Sequence, residues 1–99
     1  MHLLQQLKSK NNMKSVILIY TTDSHHSMSS MELIAVASTE KKRDTLVRRF
    51  LRNYLYEKLT LKEINEAIEQ LQQMGQTQGL SKAADLEIYT ETYNVNELI

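Results

Sequence analysis

Val16-Ile17-Leu18-Ile19-Tyr20-Thr21-Thr22 is a run of β-branched, aliphatic and aromatic residues without apolar–polar alternation. Such a run reads as a strand buried on both faces, or nearly so, because an alternating strand would put every second side chain in water. Its place is near the centre of a sheet. The polar stretch Asp23-Ser24-His25-His26-Ser27-Met28-Ser29-Ser30 follows, and Met31 to Ser38, with Leu33, Ile34 and Val36, supplies a second strand. About eight residues separate the two, so they pair antiparallel, since a parallel crossover needs about a dozen or more. A connection of this length without Gly or Pro is fixed by side chains, and Asp and Ser do this by bonding their own backbone.

Working outward, Ser38 or Thr39 is placed to cap a helix running to about Lys58, with Glu40 in its first turn, where the helix dipole favours an anion. At 100° per residue from Lys41, the side chains of Leu46, Val47, Phe50, Leu51 and Tyr54 fall between about 140° and 280°, the stripe expected to be buried. Lys41, Lys42, Arg48, Arg49 and Arg52 share the opposite arc with Thr45 and Tyr56, while Glu40, Asp44 and Glu57 lie outside it. One face of this helix is therefore basic. Leu59-Thr60-Leu61-Lys62-Glu63-Ile64 opens a second helix: Thr60 caps, Glu63 completes a capping box, and Leu59 staples onto Ile64. Leu61, Ile64, Ala67, Ile68, Leu71 and Met74 form its apolar stripe, Glu63, Glu66 and Glu69 its solvent face, and Gly75 the left-handed stop. Gln76-Thr77-Gln78-Gly79 connects onward, Leu80 to Ala84 adds a helical turn, and Leu86 to Val95 reads as a third strand. Tyr20, Tyr89 and Tyr93 read as half-buried sheet residues, and Glu97-Leu98-Ile99 as a packed end.

The expected fold class is α+β, in the order ββααβ: a small three-stranded sheet, antiparallel or mixed, with two helices on one face. Residues 13–99 form one domain. Residues 1–12, whose aliphatic side chains are Leu3, Leu4 and Leu7, read as an N-terminal extension, either upstream of a start at Met13 or a short frayed helix.

The 99 residues include no Cys, no Pro and no Trp, which excludes disulfide frameworks, thiolate metal sites, iron–sulfur clusters and cysteine nucleophiles. The longest apolar runs are five residues, far short of the roughly 18 that span a bilayer, and no secretory signal pattern precedes them. Cytoplasmic residence without membrane contact is the expectation. Charge is neutral in total, with 12 Lys and Arg against 12 Asp and Glu, but it is segregated. Residues 1–38 carry a net +1, residues 39–58 a net +4 and residues 59–99 a net −5.

That segregation ranks the functional classes. Clustered Lys41, Lys42, Arg48, Arg49 and Arg52 suit either an acidic protein surface or nucleic-acid phosphates, with Tyr56 placed to stack on an unpaired base. The near-neutral pI of about 6.8 disfavours a dedicated nucleic-acid binder, and a charged helix face is most often only a solvated one. Opposite charge on the two helices also permits self-association into a homodimer, the basic arc of one subunit meeting Glu63, Glu66 and Glu69 of another. Asp23, His25 and His26 are the material of a metal-dependent hydrolase, and the neighbouring serines that of a nucleophile and base pair. Adjacent histidines diverge on an extended chain, no catalytic signature accompanies them, and loop-fixing hydrogen bonds are the plainer reading. No cofactor, metal or enzymatic activity is expected. Gln76 and Gln78 have the amides to hold a ligand or a partner's backbone, against the plainer reading that Gly75 and Gly79 simply reverse the chain.

Tyr20-Thr21-Thr22-Asp23, His26-Ser27, Ser30 with Glu32-Leu33-Ile34, and Gly75-Gln76-Thr77-Gln78-Gly79 together resemble short uncharacterised proteins of gut bacteria and their phages or mobile elements. The resemblance spans most of residues 16–99 and assigns no catalytic or binding role to any residue. It implies a small accessory protein that acts by binding a macromolecule. The leading expectation is thus an interaction module working by protein–protein contact. The alternative is a nucleic-acid binder on the basic helix face, and the third reading is the hydrolase at the 23–26 loop.

Overall fold

Strand β1 (Ser15–Thr22) forms where the β-branched run predicts it and is the middle of a three-stranded sheet of order β2-β1-β3. The computed structural model describes residues 15–55 and 58–94, Tyr54 by its backbone alone. The expectations placed on residues 1–12 and Met13, on Tyr56 and Glu57, and on Val95 to Ile99 lie outside the described residues. β2 (Glu32–Ala37) and β3 (Glu87–Asn94) both pair antiparallel with β1, so the sheet is purely antiparallel. Between Ile19 and Tyr20 the β1–β2 register slips: Ile19 faces Ala35 and Tyr20 faces Leu33, leaving Ile34 as the extra residue of a bulge.

Helix α1 (Glu40–Leu55) starts under Thr39, whose hydroxyl accepts the Lys42 N–H at 3.1 Å. It is described to Leu55, short of the expected end near Lys58, and the N–H groups of Lys58 and Leu59 both bond the Leu55 carbonyl. Helix α2 (Leu61–Met74) has the full capping box: Thr60 Oγ1 accepts from the Glu63 N–H, and the Glu63 carboxylate accepts from the Thr60 N–H at 2.8 Å. Gly75 ends it at φ 75°, a conformation that disfavours any Cβ. The replacement Thr60→Ala is expected to cost about 1 kcal/mol. This is readable as a lower urea midpoint at unchanged slope.

Both helices lie on one face of the sheet. Ile17, Ile19, Ala37 and Ile88 meet Val47, Leu51 and Leu55 of α1 and Ile64, Ala67, Ile68 and Leu71 of α2. Leu80 and Ala84, on the short helix α3 (Ser81–Ala84) and its approach, close one end. Two expectations need correction, and one residue carried none. Leu61 and Met74 share the α2 stripe by angle but occupy its first and last residues, and they are exposed. β1 is not covered on both faces: Ile17 and Ile19 point into the core, whereas Val16, Leu18 and Tyr20 are only half-buried. Arg43 lies within the apolar stripe of α1 and is itself 5% exposed.

Candidate functional site

The basic residues of α1 and the apolar N-terminal turn of α2 line one groove of about 1000 Å³. Lys41, Thr45, Arg48, Arg49 and Arg52 form its α1 wall, while Leu59, Leu61 and Ile64 supply an apolar floor and far side. Two polar links between the helices fix its shape. Arg48 Nη1 donates to Asn65 Oδ1 at 2.7 Å, and Gln72 Nε2 donates to Asp44 Oδ2 at 2.9 Å. The other oxygen of Asp44 takes Arg43 Nε at 2.9 Å, so the acid lining the groove is already neutralised by the buried guanidinium. Among the described residues, Lys41, Lys42, Arg49 and Arg52 form no ion pair, which leaves the wall electropositive. Lys42 belongs to the basic arc but does not line the groove.

The acidic candidates are only partly free. Glu63 is held by the capping box, while Glu66 and Glu69 are exposed on α2, Glu69 accepting a long bond from Gln73.

The 23–30 loop holds itself together by its own side chains. Asp23 Oδ1 accepts the N–H groups of His25 at 3.0 Å and Ser27 at 2.9 Å, while Ser30 Oγ accepts the Asp23 N–H and donates to the Ser27 carbonyl. The Ser27 bond chiefly holds the Asp23 carboxyl below its ordinary value, with help from His25 and Ser30. Ser27 and Ser29 hydroxyls bond each other at 2.8 Å, and none of the serines bonds an imidazole. Among the described residues, no three His, Asp or Glu side chains gather as a metal would require. Asp23, His25 and His26 thus act as a turn, with His26 at φ 55°.

Around Gln76 and Gln78 the sequence reading missed the central group. Glu87 sits on β3 and is 2% exposed. Its Oε1 accepts Thr77 Oγ1 at 2.7 Å and the Leu80 N–H at 3.2 Å, and its Oε2 accepts the N–H groups of Gly79 at 3.1 Å and Ser81 at 2.9 Å. The carboxylate caps α3, whose own N-cap position is the apolar Leu80. Thr77 also takes the Ile88 N–H at 2.8 Å. Gln78 is clamped through its backbone by the Gln70 amide, and Gln76 forms an isolated bridge to Tyr89. With Glu87 bonded by four donors, this loop is a structural knot.

No family model matches the chain, nor does any curated protein or solved structure. The groove therefore stands on its own geometry. No helix among the described residues is long and apolar enough to cross a membrane.

Proposed function

We propose that the protein is a small interaction module that binds a protein partner in the α1–α2 groove, taking an acidic segment with apolar side chains. The observation that carries this reading is the joining of unpaired cations with an apolar floor that includes Leu61, 62% exposed. A nucleic-acid backbone would use Lys41, Lys42, Arg48, Arg49 and Arg52 and leave Leu61 wet. An acidic amphipathic segment satisfies both at once, because the apolar contact contributes affinity and the charges steer and orient the encounter. The resemblance of the Tyr20–Asp23 and Gly75–Gly79 segments to accessory proteins of phages and mobile elements agrees with this class of function. A cytoplasmic setting fits it as well.

The test compares two probes on the full chain by fluorescence anisotropy: a helical peptide built of Glu and Leu, and a random-sequence DNA duplex. The peptide is expected to bind, with Arg48→Glu/Arg49→Glu and Leu61→Lys each weakening it about tenfold or more, a loss of roughly 1.4 kcal/mol. Duplex binding with a log–log salt slope near −4.5, the value for about five phosphate contacts, would replace the reading with the nucleic-acid alternative if Leu61→Lys left it unchanged. Failure of both probes to bind at low salt would overturn the groove as a working surface.

A further inference from the structure

The sheet has a second face that the helices do not touch. Val16, Leu18 and Tyr20 of β1 alternate onto it, flanked by Leu33 and Val36 of β2 and by Tyr89, Glu91 and Tyr93 of β3. A sheet face left in water normally carries polar side chains. Here seven of these eight positions are aliphatic or aromatic, and Leu33 and Val36 are each 51% exposed. The Tyr20 and Tyr89 rings meet at 6.2 Å between centroids. The one charge among these eight is screened from both sides: Tyr89 donates to Glu91 Oε1 at 3.1 Å and Tyr93 to Oε2 at 2.6 Å. The same alternation brings Thr22 and Glu87 to this side, where the 23–30 loop and the Thr77–Ser81 segment bury them at one end; the helices α1 and α2 pack on the opposite face and leave the rest of the patch open.

We propose that a second copy of this chain covers the outer sheet face, giving a back-to-back dimer in which two three-stranded sheets pack face to face. The occupant follows from charge and size. Elsewhere the molecule presents segregated charge, so a charged partner would seek the helices; the open patch of the outer face has a single carboxylate, already bonded by two hydroxyls, Glu87 being buried at its end, and meets its own image without unscreened like charge. Two eight-residue strands about 27 Å long and one six-residue strand about 20 Å long, about 4.8 Å apart, give a footprint of about 350 Å² per copy. The total of roughly 700 Å² lies below the range of stable complexes, which fits a weak, reversible homodimer of an exposed small sheet rather than an obligate one. The contact is isologous, the two sheets crossing at about 30° as aligned sheets do. Because the helices occupy the opposite face, both α1–α2 grooves stay open and point away from each other. The dimer does not depend on the groove reading, and its test separates the two.

Sedimentation velocity of the full chain across about 10 μM to 1 mM tests this, with Kd read from the concentration dependence. A monomer–dimer equilibrium little affected by salt is expected. The double variant Leu33→Lys/Val36→Lys should weaken it tenfold or more while keeping a cooperative melt, since lysine on an edge strand is tolerated. Arg48→Glu/Arg49→Glu should leave it unchanged. A dimer that salt or the arginine variant dissolves would overturn the proposal in favour of contact between the charged helices. A monomer at every concentration overturns it too, and removal of residues 1–14 then tells whether that segment occupies the face, by a gain in binding of an apolar dye.

Discussion

Replacing Glu87 with alanine is expected to lower the unfolding free energy by about 3 kcal/mol, the loss of a buried carboxylate that satisfies several donors. For a domain of this size that is a fall in Tm of roughly 15 °C. The effect is large because one side chain ties Thr77, Gly79, Leu80 and Ser81 to β3, and its removal orphans all four donors together. Glu87→Gln keeps the shape and loses the charge, so it should fall between the wild type and alanine. The pH dependence carries the same information. Burial alone would raise the Glu87 carboxyl, but the bonds from Thr77, Ser81 and Leu80 outweigh it and hold the group below its ordinary 4.5. A folded-state value below the unfolded one means that the unfolded chain binds the proton more readily. The contribution is therefore full above about pH 5 and is lost as pH falls through the lowered value. Urea midpoints measured from neutral pH into the acid range should decline less in Glu87→Gln than in the wild type. Equal declines would show that the bonds do not discriminate the charged form.

Leu51→Ala is expected to cost about 3 to 4 kcal/mol, since a leucine in a core of this kind leaves a cavity that its neighbours only partly fill. Leu51 is 0% exposed, on the side of α1 opposite the basic wall. Against a total stability of about 5 to 15 kcal/mol for a small domain, the loss is a substantial fraction of the whole. Chemical denaturation reads it directly. Affinity for the acidic peptide, corrected for the folded fraction, should change little, because Leu51 does not itself line the groove. A cost under about 1 kcal/mol would mean that α1 is seated on the sheet far less tightly than its burial implies.

Local grammar was readable where one stretch of chain decides the outcome. The Thr60 and Glu63 capping box, the Gly75 stop, the Asp23 turn and the basic arc of α1 depend on neighbours a few residues away, and all form as their spacing suggests. The central place of β1 was readable from its apolar run, whereas the direction of β3 was not, since nothing near Val16–Thr22 decides between an antiparallel and a mixed sheet. Glu87 was hidden for a related reason: within Leu86-Glu87-Ile88 it looks like the polar half of an alternating strand, and only the arrival of α3 turns it into a buried cap. Arg43 left a usable trace. Its angle, about 200° from Lys41, lies in the middle of the apolar arc, and a long cation there calls for a buried partner, which Asp44 provides. The charged wall of the groove was visible in the helical periodicity, but its floor was not. Leu61 was assigned to the core by the same periodicity, and only its position at the first residue of α2 leaves it in water.

With β1 in the middle, the strand that leaves the ribosome ahead of its two neighbours has one partner close behind it and another roughly 70 residues further along the chain. The β1–β2 hairpin and α1 are able to collapse during synthesis, yet the β1 edge that belongs to β3 stays unpaired until translation has passed Asn94. For that interval the nascent chain exposes a row of free backbone groups along its most apolar strand, the kind of edge that recruits strands from other chains. Slow elongation through the α2 codons would lengthen that window, whereas a circular permutant joining β3 directly ahead of β1 would close it at the outset.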